Sequence, residues 1–322
     1  MAVIKYKVVM TDTVYPDLEM EKRAFAAVGA EFVFLGTKEE AVIAEAVKDA
    51  DAVIVCYAKI SEATIQGMTK CRSISKTGIG VNNIDVEQAT KQGIRVMNVS
   101  DYCIEEVSDV TIALILSLIR RIPFLWDNVR AGNWSWAGSE KMPRIRGKTM
   151  GFLGFGRIAR RSAEKMKPFG VELIAYDPYV TQESVAELGV RMVSLDEALS
   201  QSDILSLNLP LTNETKFIIN KDSLAKMKET AVLVNTARGP LINEEDLCAA
   251  VRAGKLAGVG LDVLNHEAYD ADNPLFFLEN VIITPHAAFW STEATQELRE
   301  KSLADLLTVL DGKEPKYMVN RV

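Results

Sequence analysis

Short runs rich in β-branched residues recur along the chain, each followed by a stretch with helical spacing, and this alternation is its strongest constraint on fold. YKVVM, EFVFL, AVIVCY, RSISK and IRVMNV fill the first hundred residues. TMGFLG, VELIAYD, VRMV, DILSLNLP, TAVLVNT, AGVGLDV and VIITP form a second series from residue 149 onward. Runs this apolar carry no in-and-out alternation, so they must be buried on both faces. Only parallel sheets covered by helices bury strands in that way. The expected fold class is therefore α/β, with two doubly wound parallel-sheet domains, in keeping with a length of 322 residues.

Between the two series the period becomes helical. Residues 104–130 read as one long helix containing Pro123, and the polar, glycine-containing stretch AGNWSWAGSEKMPRIRG follows. A domain boundary is expected here. The apolar run VTIALILSLI ends at Arg120 and Arg121; it is too short to span a bilayer, which takes about 20 residues, and reads as a buried helix. The last long segment, STEATQELREKSLADLLTVLDG, spaces Leu298, Leu303, Leu306 and Leu310 at helical intervals but has no strand of its own to cover. It is expected to return to the first domain.

Composition narrows the function. A net charge of −7 and the lack of a dense Lys/Arg run exclude the basic footprint of a nucleic-acid binder. MAVIKYKVVM enters a strand pattern directly, without the charged and apolar regions of a signal peptide. A cytoplasmic protein with no membrane segment is expected. The cysteines at 56, 71, 103 and 248 form no C-x-x-C pair, so free thiols are expected and no metal site.

The chemistry starts at GFLGFGRIAR, which follows a strand and opens a helix. Gly154 permits the turn, Gly156 lets the backbone approach a pyrophosphate, and the N–H groups at the helix start favour an anion. Ala159 stands in the third position, where close helix–strand packing tolerates a methyl group. The next strand ends in Asp177, 23 residues beyond Gly154, near the offset of a ribose-binding acid. A carboxylate there accepts from ribose hydroxyls and repels a 2′-phosphate, so NAD is expected over NADP. The candidate cofactor contacts begin with Gly154, Phe155, Gly156, Arg157, Ile158, Asp177 and Pro178. They continue through Asn208, Pro210 and Thr215 after DILSLNLP, and Thr236, Ala237 and Arg238 in NTARGPLI. Asp262, His286 and Ala288 complete them.

Hydride chemistry beside a nicotinamide needs a proton carrier and a cation for an acidic substrate. His286 follows the strand VIITP, whereas His266, the other histidine, lies in a polar loop. Arg238 follows TAVLVNT and offers a planar fork for a carboxylate. Glu267, after AGVGLDV, can support the histidine, because a neighbouring carboxylate favours the imidazolium.

From Lys76 to Phe289 the chain resembles the D-isomer-specific 2-hydroxyacid dehydrogenases, in the motifs GFLGFGRIA, NTARGPLI, GLDVLNHE and ITPHAA in that order. The resemblance implies NAD-dependent interconversion of a 2-oxo acid and a D-2-hydroxy acid by a catalytic set of Arg238, Glu267 and His286. It implies a Rossmann cofactor domain, 104–289, inserted into a flavodoxin-like substrate domain, 1–103 and 290–322. It implies substrate contacts at Lys76, Ile79, Gly80, Tyr102, Arg238, His286 and Phe289, with the amides of Ile79 and Gly80 in KTGIGVNNID receiving the carboxylate. A homodimer formed through roughly 104–148 is also implied, with Trp134 and Trp136 in its arm. The chain departs from the family pattern at Ser108-Asp109, where Ala-Glu is frequent, at Asn208, where histidine is frequent, and at Ala268, where proline often follows the glutamate. NAD(H)-sensing corepressors share these motifs, and Phe289-Trp290 is similar to their aromatic there, so a protein-interaction role with little turnover is the alternative.

Overall fold

The computed structural model describes residues 5–139 and 142–322. Residues 1–4, assigned above to the first domain, and residues 140–141, within the expected dimer arm, lie outside the described residues. The chain divides into two compact units, Met1–Tyr102 with Ser291–Val322, and Cys103–Trp290.

In the first unit, strands β1 (Tyr6–Met10), β2 (Ala30–Phe34), β3 (Ala52–Val55), β4 (Ser73–Lys76) and β5 (Arg95–Met97) alternate with helices α1 (Glu19–Ala27), α2 (Glu40–Ala46), α3 (Glu62–Gln66) and α4 (Val86–Lys91). The strands pair in parallel in the order β2-β1-β3-β4-β5, the flavodoxin-like order. Every residue of β3 and β4 is buried, as strands covered on both faces require.

The second unit opens with two helices, α5 (Ile104–Ile119) and α6 (Ile122–Arg130), where the sequence reading expected one. Arg121 adopts a left-handed conformation at φ 50° and ends the run, and Pro123 lies in the first turn of α6. Proline fits a helix's first turn because the N–H it lacks has no intrahelical partner there. Strands β6 (Thr149–Leu153), β7 (Glu172–Tyr176), β8 (Val190–Met192), β9 (Ile204–Leu207), β10 (Val232–Asn235), β11 (Gly258–Leu261) and β12 (Val281–Ile283) follow, with α7 (Arg157–Met166), α8 (Leu195–Gln201), α9 (Lys221–Lys226) and α10 (Glu244–Arg252) between them. The parallel order β12-β11-β10-β9-β6-β7-β8 is the Rossmann order with a seventh strand. Leu114, Ile115 and Ile119 of α5 join Met150, Phe152, Phe155 and Ala159 in the core on one face of this sheet, so the apolar run is a buried helix.

The final helix, α11 (Thr292–Leu310), belongs to the first unit. Its Leu303, Leu306, Val309 and Leu310 pack with Val8, Met10, Phe25, Ile54 and Met97. Arg299 fastens it to α1 through a paired contact with Glu21, at 2.7 and 2.9 Å. Ser75 of β4 and Ser302 share a buried hydrogen bond of 2.9 Å. The helix thus covers a sheet face that the first hundred residues leave open. Leu306 is fully buried, so Leu306→Ala is expected to destabilise the first unit by about 2–5 kcal/mol, read as an earlier chemical-denaturation transition.

Candidate active site

Three adjacent parallel strands, β10, β11 and β12, end side by side, and the loops leaving them carry Arg238, Glu267 and His286. Ligands of open α/β sheets bind outside these carboxyl ends.

His286 is held in a left-handed conformation at φ 50°, which costs a non-glycine residue roughly 1–2 kcal/mol. The surrounding bonds impose it. Asp262, only 1% exposed, lies just past β11. One carboxylate oxygen accepts from Thr284 Oγ1 (2.6 Å) and Ala287 N (2.9 Å), and the other from Ala288 N (3.0 Å). Its backbone carbonyl accepts from the N–H of His286 at 2.8 Å. The imidazole Nδ1 then lies 2.8 Å from Glu267 Oε2. Both side chains are partly exposed, 28% for His286 and 38% for Glu267, so the pair faces solvent from a rigid base. The Phe289 ring stands nearly perpendicular to the imidazole, 6.0 Å between centroids.

Arg238 follows β10 and precedes a 3-10 turn at Gly239–Leu241. A Cβ on Gly239 would lie 2.1 Å from the backbone of Leu264. Only glycine lets the Arg238 loop press directly on the segment leading to Glu267. The Arg238 guanidinium donates to the carbonyl of Ala237.

The fingerprint turn meets the needs of a dinucleotide. A Cβ on Gly154, at φ 84°, would lie 2.7 Å from the Asn208 carbonyl oxygen, whereas one on Gly156 would meet nothing within 4 Å. The first glycine closes the turn and the second keeps open space above it. No side chain caps α7 and no acid occupies its first turn, which leaves that end suited to a diphosphate. Asn208 donates to Ser206, but its Oδ1 is buried without a hydrogen-bond partner, an acceptor awaiting a donor.

Other expected contacts have structural duties. The Phe155 ring is buried, its N–H donates to Asp177 Oδ2 at 2.8 Å, and its carbonyl accepts from Arg160. Asp177 Oδ1 accepts from Tyr179 N, so this carboxylate shapes its own turn as well as standing at the end of β7. Asp262 and Ala288 bond to each other in the His286 clamp. Thr215 Oγ1 donates to the carbonyl of Pro210 at 2.6 Å, and Thr236 Oγ1 meets Thr111 Oγ1 of α5 at 2.9 Å. Gly156, Arg157, Pro178 and Pro210 are exposed, and Ile158 and Ala237 half-buried.

In the first unit, Lys76 is buried and its ammonium donates to the Cys56 carbonyl. Ile79 and Gly80 are half-buried. Asn98 donates to the Ile79 carbonyl at 2.6 Å, while no hydrogen bond within the described residues uses the N–H of Ile79 or of Gly80. Tyr102 is buried, at 7% exposure. Sequence reasoning missed Asp12, just past β1, whose carboxylate accepts from the N–H groups of Cys56, Tyr57 and Ala58 at 2.7–3.2 Å. Asn83, also missed, donates to the Ala58 carbonyl at 2.7 Å. Asp12 could have been found as an acid directly after a buried strand.

Comparison with known proteins agrees with this geometry. The family model described as the D-isomer specific 2-hydroxyacid dehydrogenase NAD binding domain matches residues 112–288. A glyoxylate reductase of Korarchaeum cryptofilum is 35% identical over 321 residues, 97% of each chain. A D-3-phosphoglycerate dehydrogenase of Methanocaldococcus jannaschii is 37% identical over 98% of this chain, which spans 59% of that longer protein. Among solved structures, D-lactate dehydrogenase from Aquifex aeolicus, complexed with NAD and lactic acid, is similar with a TM-score of 0.88 at 30% identity, covering 95% of this chain and 96% of that one. Likeness of this extent, over nearly the full length of both proteins, places the chain in the D-isomer-specific 2-hydroxyacid dehydrogenase family.

Proposed function

We propose that Arg238, Glu267 and His286 carry an NAD-dependent interconversion of a small 2-oxo acid and its D-2-hydroxy acid. The observation that supports the reading best is the 2.8 Å bond between His286 Nδ1 and Glu267 Oε2 at the strand ends. Glu267 fixes the imidazole through Nδ1, which leaves Nε2 to hand a proton to the carbonyl oxygen in reduction and to take it back in oxidation. NADH, when bound, supplies the hydride that goes to the carbonyl carbon. Arg238 binds the substrate carboxylate through its fork and polarises the keto oxygen. The free N–H groups of Ile79 and Gly80 are the further donors for that carboxylate, and Lys76, Tyr102 and Phe289 border the substrate. Residues 104–289 form the cofactor domain in this reading, and 1–103 with 290–322 the substrate domain.

Relatives named glyoxylate reductase make glyoxylate the first substrate to try, beside pyruvate, hydroxypyruvate, phenylpyruvate and 2-oxoisocaproate. On the best of these, His286→Ala is expected to lower kcat roughly 10²–10⁴-fold; full retained activity would refute the mechanism. Glu267→Gln is expected to lower reductive kcat roughly 10-fold or more, because the imidazole loses the carboxylate that orients it through Nδ1.

Cofactor choice rests on Asp177. The wild type is expected to show a lower KM for NADH than for NADPH. In Asp177→Ala the NADH value is expected to rise and the gap to narrow, as both the ribose acceptor and the brace on Phe155 are lost. Equal use of both cofactors by the wild type would sink this assignment.

A homodimer through α6 and the segment after it is part of the same proposal. No residue of α6 is buried, and Trp126, Trp134 and Trp136 are 59%, 91% and 70% exposed, more apolar surface than a lone helix holds in water without cause. Sedimentation is expected to give twice the chain mass, and Trp126→Glu to shift it toward the monomer. Cytoplasmic placement also belongs here, supported by four free cysteines.

A further inference from the structure

The mechanism leaves unused one fully buried polar side chain at the catalytic strand ends. Asn235 is the last residue of β10 and has no exposed surface. The ladder with β9 and β11 is made by backbone groups, so its amide is not needed for the sheet. Both functions of that amide are turned instead on the loop that follows. Nδ2 donates to the carbonyl of Arg238 at 2.9 Å, and Oδ1 accepts from the N–H of Ala237 at 3.0 Å. An amide that both donates and accepts closes a small ring over residues 235–238. Loss of Oδ1 removes the acceptor of the Ala237 N–H, and loss of Nδ2 leaves the Arg238 carbonyl with only the longer bond from the Leu241 N–H, at 3.2 Å.

We infer that Asn235 is the positioning residue for Arg238, fixing the backbone from which the guanidinium reaches the substrate carboxylate. It touches no substrate itself. The rest of the loop is held from other directions, by Thr111 on Thr236 and by the close approach of Gly239 to Leu264. Asn235 grips this segment from the end of β10, at the Ala237 N–H and at the Arg238 carbonyl. The guanidinium is carried on a long chain, so a small rotation at this peptide displaces it by an ångström or more, enough to cost a reaction heavily. The inference rests on the reading of Arg238 as the substrate's cation.

The test is a double-mutant cycle on glyoxylate reduction, or on the best substrate of the panel. Asn235→Ala and Asn235→Asp are each expected to lower kcat/KM roughly 10- to 100-fold, with NADH affinity, from fluorescence titration, changed less than about threefold. Aspartate keeps the shape and the bond from Ala237, so it carries the test if the alanine variant does not fold. In an Arg238→Lys background the same change at Asn235 is expected to cost little more, since its effect passes through the arginine. Asn280→Ala, which removes an amide bonded to the Leu256 carbonyl at 3.1 Å at the other end of the strands, serves as the stability control and is expected to leave kcat/KM unchanged. The inference is overturned if losses at 235 and 238 add, if NADH affinity falls in step with kcat/KM, or if Asn280→Ala lowers kcat/KM as much at an equal loss of Tm. Should Arg238→Lys itself keep full activity, the role given to Arg238 fails instead, which is a separate result.

Discussion

The buried carboxylate of Asp262 is the contact on which the candidate active site depends. Taking such a group out of water costs several kcal/mol unless it is fully hydrogen-bonded. Here the donors are Thr284 Oγ1, Ala287 N and Ala288 N, all from the segment around His286. Satisfying the carboxylate therefore dictates the path of that segment. Its path forces His286 to φ 50°, and the clamp offsets the strain. The strand register sets the geometry in turn, because β11 and β12 pair Leu261 with Ile283, which brings Asp262 and Thr284 level. A slip of one residue would leave the carboxylate buried without its donors.

The same scaffold reaches Arg238 and Glu267 with decreasing stiffness. Gly239 against Leu264 joins the Arg238 loop to the end of β11 backbone on backbone. Beyond Leu264 the chain leaves the core, and residues 265–270 are exposed. Glu267 is thus the least confined of the three, held by its bond to His286 and by Asn265, whose N–H donates to Glu244.

Strand positions and the class of both sheets were legible because an apolar run between helical segments has few other places to go. The break between α5 and α6 was not, since a proline in a helix's first turn and one in its middle look alike in sequence. The roles of Asp177 and Asp262 were only half legible. An acid after a strand announces a functional turn, but nothing in the sequence says whether it faces a ligand or the backbone. In both cases the carboxylate accepts backbone N–H groups. Trp134 and Trp136 were legible only in part, because an aromatic residue suits a core and an interface equally well; both lie on the surface, as does Trp126 of α6.

The departures from the family pattern separate by what they touch. Ser108 and Asp109 both meet Lys165 of α7, at 2.8 and 2.6 Å. Glu105 joins the same lysine and Arg161, and these two bases hold its carboxyl below the usual range. This exchange of residues ties α5 to the fingerprint helix. It is a matter of helix packing, with no substrate in it. Asn208 belongs to a different class, since its backbone packs against the glycine turn at Gly154 and its Oδ1 is buried without a donor. In the first unit the loop at Cys56–Ala58 is confined by side chains in a similar way. Asp12 and Asn83 hold its backbone on both edges. With the backbone fixed in this way, side-chain exchange at Tyr57 leaves the loop that carries it in place.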